Sequence, residues 1–190
     1  PQLYWQISAK AQSYPVLMQW WHEQNPKRRH LWPGNNTARI NPWPAKEIIS
    51  QIGLTRQHPG ATGNIHWNLS ALFDNRKDIA TQLQSGAYVH HALPPASPWL
   101  DNHPPKAPAV SSQWDEPKRL IHVTWRALEK DSLRRWLFQM RVNGKWHARI
   151  VQGSQRTISI RVAKTFPDAI SITAIDAGGN TSTPAVLGRK

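Results

Sequence analysis

Apolar positions in the first hundred residues alternate between a two-residue and a helical period; beyond residue 109 only the two-residue period remains. In Pro1-Gln2-Leu3-Tyr4-Trp5 the alternation predicts a strand with Gln2 and Tyr4 on one side and Trp5 at its exit. Tyr14, Leu17, Met18 and Trp21 then fall at i, i+3, i+4 and i+7, one stripe of a helix. Ser13 is its expected cap, Pro15 sits in its first turn, and Asn25-Pro26 ends it. A second strand is expected over residues 30–34, followed by a long loop with Asn35, Asn36 and Trp43. Ala45, Ile48, Ile49 and Ile52 repeat the helical period after Pro44. Pro59-Gly60 turns the chain into a third strand over residues 63–67, and Ile79 and Leu83 mark another helix. This order implies parallel strands with right-handed crossovers, and the longer, aromatic-rich loops follow the strands, as on the active face of a (β/α)₈ barrel.

A proline-rich stretch from Leu93-Pro94-Pro95 to Pro104-Pro105 and Pro108 reads as a stiff linker. It divides the chain into residues 1–92, the 93–108 linker and residues 109–190. In the last part Ile121, Val123 and Trp125 alternate with His122, Thr124 and Arg126. Trp136, Phe138, Met140 and Val142 make a second inward row, and Asn143-Gly144 predicts a type I′ hairpin. Trp146, Ala148 and Ile150 are expected to return along the partner strand, with Trp146 inward like Trp125 and Trp136. Ile158, Ile160 and Val162, then Ile170, Ile172 and Ala174, give two more strands, and Asp176-Ala177-Gly178-Gly179-Asn180 turns into a last one near 183–187. About seven short strands in this span predict a β-sandwich. Trp20 and Trp21 are expected in the helical core, and Trp99 and Trp114 as packing between the two domains.

Charge changes the picture only slightly. The net charge is +13, with 24 Lys and Arg against 11 Asp and Glu, and it is spread over both parts of the chain. No zinc-finger, basic-zipper or RRM signature accompanies it, so the expectation is no nucleic-acid partner; an anionic envelope polymer accounts for the charge as well. Cysteine is absent, which rules out disulfides and thiolate metal sites. No apolar run reaches the roughly 18 residues of a membrane helix. His90 and His91 are adjacent and point apart in an extended chain, and no ligand spacing for a metal, serine-nucleophile motif or phosphate loop is present. Neither a metal nor a cofactor is expected.

The opening pentapeptide, Tyr14-Pro15-Val16-Leu17-Met18-Gln19-Trp20-Trp21, Arg29-His30-Leu31-Trp32-Pro33-Gly34 and Ile65-His66-Trp67 resemble the bacterial glycosyl-hydrolase-like family 10. So does Ala92-Leu93-Pro94-Pro95 followed by Pro98-Trp99-Leu100-Asp101. The resemblance covers residues 1–101. It implies the last three strand–helix units of a (β/α)₈ barrel, with the three strands as barrel strands six, seven and eight, in an exported or lipid-anchored enzyme that cleaves a glycan such as peptidoglycan. That location is periplasmic, or anchored at the outer membrane or outside it. The last part, with Trp125 on its second strand, resembles a fibronectin type III-like sandwich.

Glycoside hydrolysis ordinarily uses two carboxylates about 5–9.5 Å apart. The barrel-like part contains only Glu23, Glu47, Asp74 and Asp78, all expected on helices rather than at strand exits. The resemblance puts the acidic pair on strand four, upstream of Pro1, in an N-terminal barrel part that would complete the fold. Residues 1–101 should therefore supply a cleft wall with no catalytic residue. Gln2 and Tyr4 can hydrogen-bond sugar hydroxyls, Trp5 and Trp32 can stack on a pyranose, and His66 and Asn68 share a face at the last strand's end. The competing reading makes Gln2, Tyr4, Trp5 and Trp32 core packing, His66 a satisfied structural histidine and Asn68 a helix cap. On the functional side the alternative is a non-catalytic carbohydrate- or envelope-binding protein on a degenerate barrel.

Overall fold

The structure is a computed structural model that describes residues 1–128 and 133–188; the side chain of Ala45, one position of the expected second helical stripe, lies outside the described residues. The chain divides into two compact units, Pro1–His90 and His91–Lys190.

In the first unit three extended segments run parallel and side by side. Gln2 bridges Gly34, and β1 (Gly34–Asn35) pairs with β2 (Ile65–His66), Gly34 opposite Ile65 and Asn35 opposite His66. The ladder is short because few backbone groups reach each other. Gly34 N–H donates to Pro1 O at 2.7 Å, Leu3 N–H to Gly34 O at 3.2 Å, and Trp67 N–H to Asn35 O at 2.8 Å. Leu31 bridges Ala61 lower down, but the third segment holds one residue more than the second between the two pairings, which interrupts the register. α1 (Tyr14–Glu23) and α2 (Ala45–Gln57) connect these segments; α3 (Ser70–Phe73) and α4 (Ile79–Ser85) follow the third.

The apolar cores of this unit lie on the helix side of the strands. Leu3, Tyr14 and Met18 form one; Ile40, Ile48, Ile52, Ala71, Ile79 and Leu83 form the other. Trp20 and Trp21 do not join them: they are 49% and 39% exposed and pack edge-to-face on each other. The inward track of α1 runs through Tyr14, Met18 and His22, whose ring lies on Gly60, so Trp21 falls beside it. Ser13 has the extended backbone of a cap, yet its hydroxyl makes no capping bond.

The second unit is a β-sandwich. Its strands are β3 (Ala109–Asp115), β4 (Leu120–Arg126), β5 (Arg135–Val142), β6 (Lys145–Gln152), β7 (Thr157–Arg161), β8 (Ala169–Ile175) and β9 (Ala185–Gly188). A three-stranded sheet in the order β3-β4-β7 faces a four-stranded sheet in the order β6-β5-β8-β9, with every pairing antiparallel. Ile121, Val123 and Trp125 meet Trp136, Phe138, Ile170, Ile172 and Ala174 between the sheets. Trp125 and Trp136 pack edge-to-face at 6.3 Å, and Trp136 Nε1 donates to Gly153 O at 3.1 Å, which satisfies the buried indole.

Two expectations change here. Trp146 is 43% exposed, and the inward residue of β6 is Val151. The reason is parity: a two-residue turn pairs Val142 with Lys145, so an inward Val142 sends Trp146, Ala148 and Ile150 to the outer face. The proline-rich stretch is hydrogen-bonded to the last turn of this unit. Ser97 N–H donates to Gly178 O at 2.8 Å, and Asn180 Nδ2 to Asp101 O at 3.2 Å. Trp114 packs on Phe166 within this unit, with ring centroids 4.8 Å apart.

Candidate functional site

Alternation along three paired strands sorts the candidate residues onto two faces. Leu3, Asn35 and His66 are in register and face the helices. Gln2, Gly34 and Ile65 face the opposite way, and Tyr4 and Trp67 lie two residues further on along that same face. A side chain at Gly34 would meet the Tyr4 ring at 3.1 Å and Pro1 O at 3.2 Å, so glycine there lets the Tyr4 ring lie across the middle strand. The open face is exposed: Gln2 is at the surface, Trp5 is 40% exposed, Ile65 53% and Trp67 55%.

Gln2 and Tyr4 are therefore brought together, with Trp5 at the exit of the same segment. Trp32 stands lower on this face. Its Nε1 donates to Thr62 Oγ1 at 2.8 Å, His30 stacks on it at 5.7 Å, and Gly63 lies against the ring edge. These contacts fix the indole plane.

His66 is placed elsewhere. Its Nδ1 is 2.7 Å from Thr37 Oγ1 and its Nε2 is 2.8 Å from Tyr88 Oη, on the helix side of the strand. Burial pushes its pKa down, which keeps the imidazole neutral. Tyr88 also receives a bond from Asn64 Nδ2 at 2.9 Å, and burial raises its phenol pKa. Asn68 turns to the following chain, where its Oδ1 accepts the Ser70 N–H at 3.1 Å. Neither side chain is gathered with Gln2 and Tyr4.

A buried polar network positions the exit of the first strand. Gln51 Nε2 donates to Trp5 O at 3.1 Å and to Glu47 Oε1 at 2.9 Å, while Ile7 N–H donates to the same carboxylate oxygen at 2.7 Å. With its amide nitrogen so committed, Gln51 turns Oε1 to Asn35, whose Nδ2 donates at 3.0 Å. Asn35 Nδ2 also reaches Tyr14 Oη at 3.3 Å, and Tyr14 bonds Thr55 at 2.7 Å. Asn35 is fully buried in β1 rather than in the expected loop, and its Oδ1 has no hydrogen-bond partner. Nothing in the apolar periodicity pointed to Asn35, Gln51 or Tyr88. The sequence did signal Trp67, since it follows Ile65 by two and so shares its face.

The carboxylates stand apart from the open face. Glu23 accepts from Gln19 on α1, Glu47 serves the network, and Asp74 pairs with Arg76 at 2.7 Å. What the face offers chemically is an amide, a phenol and indoles, the equipment for binding sugar hydroxyls and ring faces. Among the described residues no group of three or more His, Asp or Glu is arranged to hold a metal ion, and no helix is long and apolar enough to cross a membrane.

No family model matches the chain. A curated relative, the glycosyl hydrolase YngK of Bacillus subtilis, is 37% identical over a 118-residue alignment that takes in 58% of this chain. The chain spans 23% of that relative's length. Among solved structures, the FN3 domain of human collagen XX is 18% identical with a TM-score of 0.35, covering 52% of this chain and all of that domain. An Fn3-like protein from Clostridium thermocellum is 16% identical with a TM-score of 0.33, over 45% of this chain and 93% of the other. The chain is thus related, over part of its length, to a protein named as a glycosyl hydrolase.

Proposed function

We propose that this chain is part of a glycoside hydrolase of the glycosyl-hydrolase-like family 10 kind, in which the first unit forms strands six to eight of a (β/α)₈ barrel. The observation that carries this reading is the 37% identity to a glycosyl hydrolase. The parallel order of the three segments and their open, carboxylate-free face agree with it. In this reading Gln2, Tyr4, Trp5 and Trp67 line the sugar cleft at the strand ends, and Trp32 lies deeper. The catalytic acids come from barrel strands outside this sequence. The substrate is a glycan, peptidoglycan strands in particular, and the enzyme works in the cell envelope, periplasmic or anchored at the outer membrane. The excess of basic residues in the second unit suits an anionic envelope polymer as a partner.

The test is release of reducing ends from purified peptidoglycan glycan strands by the complete gene product. Activity is expected, with KM raised about tenfold by Tyr4→Phe or Gln2→Ala and kcat less affected. An inactive product whose remaining barrel strands end in no pair of carboxylates would hand the protein to the second reading, a non-catalytic carbohydrate-binding barrel.

A further inference from the structure

The Asn143-Gly144 turn between β5 and β6 brings together two groups that can react with each other. It is the single Asn-Gly in the chain, and both residues are exposed with positive φ. The hydrogen bond of a two-residue turn uses the N–H of the residue after it, here Lys145, which leaves the Gly144 N–H to find another acceptor. Asp168 supplies one. Its Oδ2 accepts the Gly144 N–H at 2.9 Å, its own N–H donates to Arg141 O at 2.7 Å, and Arg141 Nε lies 3.8 Å from the same carboxylate oxygen. The Asn143 carboxamide makes no hydrogen bond among the described residues.

Glycine leaves its nitrogen unhindered, so once that nitrogen gives up its proton it can attack Asn143 Cγ. A C–N bond forms, the carboxamide nitrogen leaves with the proton as ammonia, and a succinimide ring remains. Water then opens the ring, breaking either the new bond to give aspartate or the main-chain bond to give isoaspartate. Either way one carboxamide and one water become one carboxylate and one ammonium ion. Asp168 opposes the first step. A carboxylate that accepts the Gly144 N–H favours the protonated nitrogen and keeps it engaged.

We propose that Asn143 is a site of spontaneous conversion to aspartate and isoaspartate, gated by the Asp168 carboxylate on Gly144. Isoaspartate lengthens the main chain inside a two-residue turn. Conversion therefore disturbs the pairing of Val142 with Lys145 that turns Trp146 outward. This chemistry belongs to the sandwich and does not depend on the hydrolase reading, which reducing-end release tests separately.

Ageing the whole chain in warm, mildly alkaline buffer and digesting it with trypsin decides it. Cleavage after Arg141 and Lys145 isolates residues 142–145, whose conversion is read by mass and by isoaspartyl methyltransferase labelling. Asp168→Ala should convert about tenfold faster than wild type, the factor expected for one hydrogen bond to a charged group. Asp168→Asn, which keeps an acceptor oxygen without the charge, should fall between the two. Asn180 holds the turn after β8 through Asp176 at 2.9 Å, so Asn180→Ala loosens the same sandwich elsewhere and should leave the rate unchanged. Samples richer in isoaspartate should melt at lower temperature. Absence of conversion in Asp168→Ala, a rate there equal to wild type, or the same acceleration in Asn180→Ala overturns the proposal.

Discussion

At the scale of single residues, buried polar groups decide more than aromatic ones. Gln51 is fully buried and serves three partners, Trp5 O, Glu47 and Asn35. Replacing it with the similarly shaped Met leaves those groups unsatisfied, so Gln51→Met should destabilise the first unit by roughly 1–3 kcal/mol in urea unfolding. A loss near zero would mean the network adds nothing. His66 sets a pH dependence whose sign follows from its lowered pKa. The folded state favours the neutral ring, and the unfolded state takes up a proton first, near pH 6.5. Stability is therefore full above about pH 6.5 and declines as pH falls from there toward the folded-state pKa. His58, also lowered by burial and by His22, adds to the same trend. The urea midpoint should drop between pH 7.5 and 5.5, and His66→Gln should make that drop shallower; a midpoint that rises on acidification contradicts the assignment.

At the scale of elements, turns and clasps fix what the strands present. Asn143 and Gly144 both have positive φ, 50° and 75°, as a type I′ turn requires, and no neighbour lies within 4 Å of where a Gly144 side chain would be. Gly144→Ala should thus cost about 1 kcal/mol from backbone conformation alone, readable as a lower melting temperature of the sandwich. The clasp on the last turn is held by Asn180, whose Nδ2 donates to Asp176 at 2.9 Å and to Asp101 O. Asn180→Ala should lower the melting temperature by roughly 4–8 °C for each kcal/mol lost, and should raise proteolysis within residues 91–101. Cleavage unchanged from wild type would show that the proline-rich stretch is held by other contacts.

At the scale of the whole chain, the two units differ in how they dispose of apolar surface. The sandwich closes a core between two sheets. The first unit packs one side of its strands against helices and leaves Ile65, Trp67 and Leu69 more than half exposed, with Phe73 at 83%. Produced separately, residues 91–190 should melt cooperatively as a monomer. Residues 1–90 should aggregate or bind a hydrophobic dye such as ANS, because strand edges and apolar patches of this kind seek partners. A soluble, cooperatively melting 1–90 monomer would overturn the barrel-segment reading.

The order of strands and helices in the first unit, the two-sheet period of the second and the Asn143-Gly144 hairpin follow from local periodicity and turn chemistry. Those signals act between near neighbours, so they survive without knowledge of the fold. The outward turn of Trp146 was also written there, since two turn residues force the parity. The placement of His66, the burial of Asn35 and the partnership of Gln51 with Trp5 were not. Each depends on which side of a strand meets a helix distant in sequence, and for a polar side chain no local period tells a buried partner from solvent. Only the packed chain settles that, because a buried polar group is stable only where its hydrogen-bond partners are brought to it.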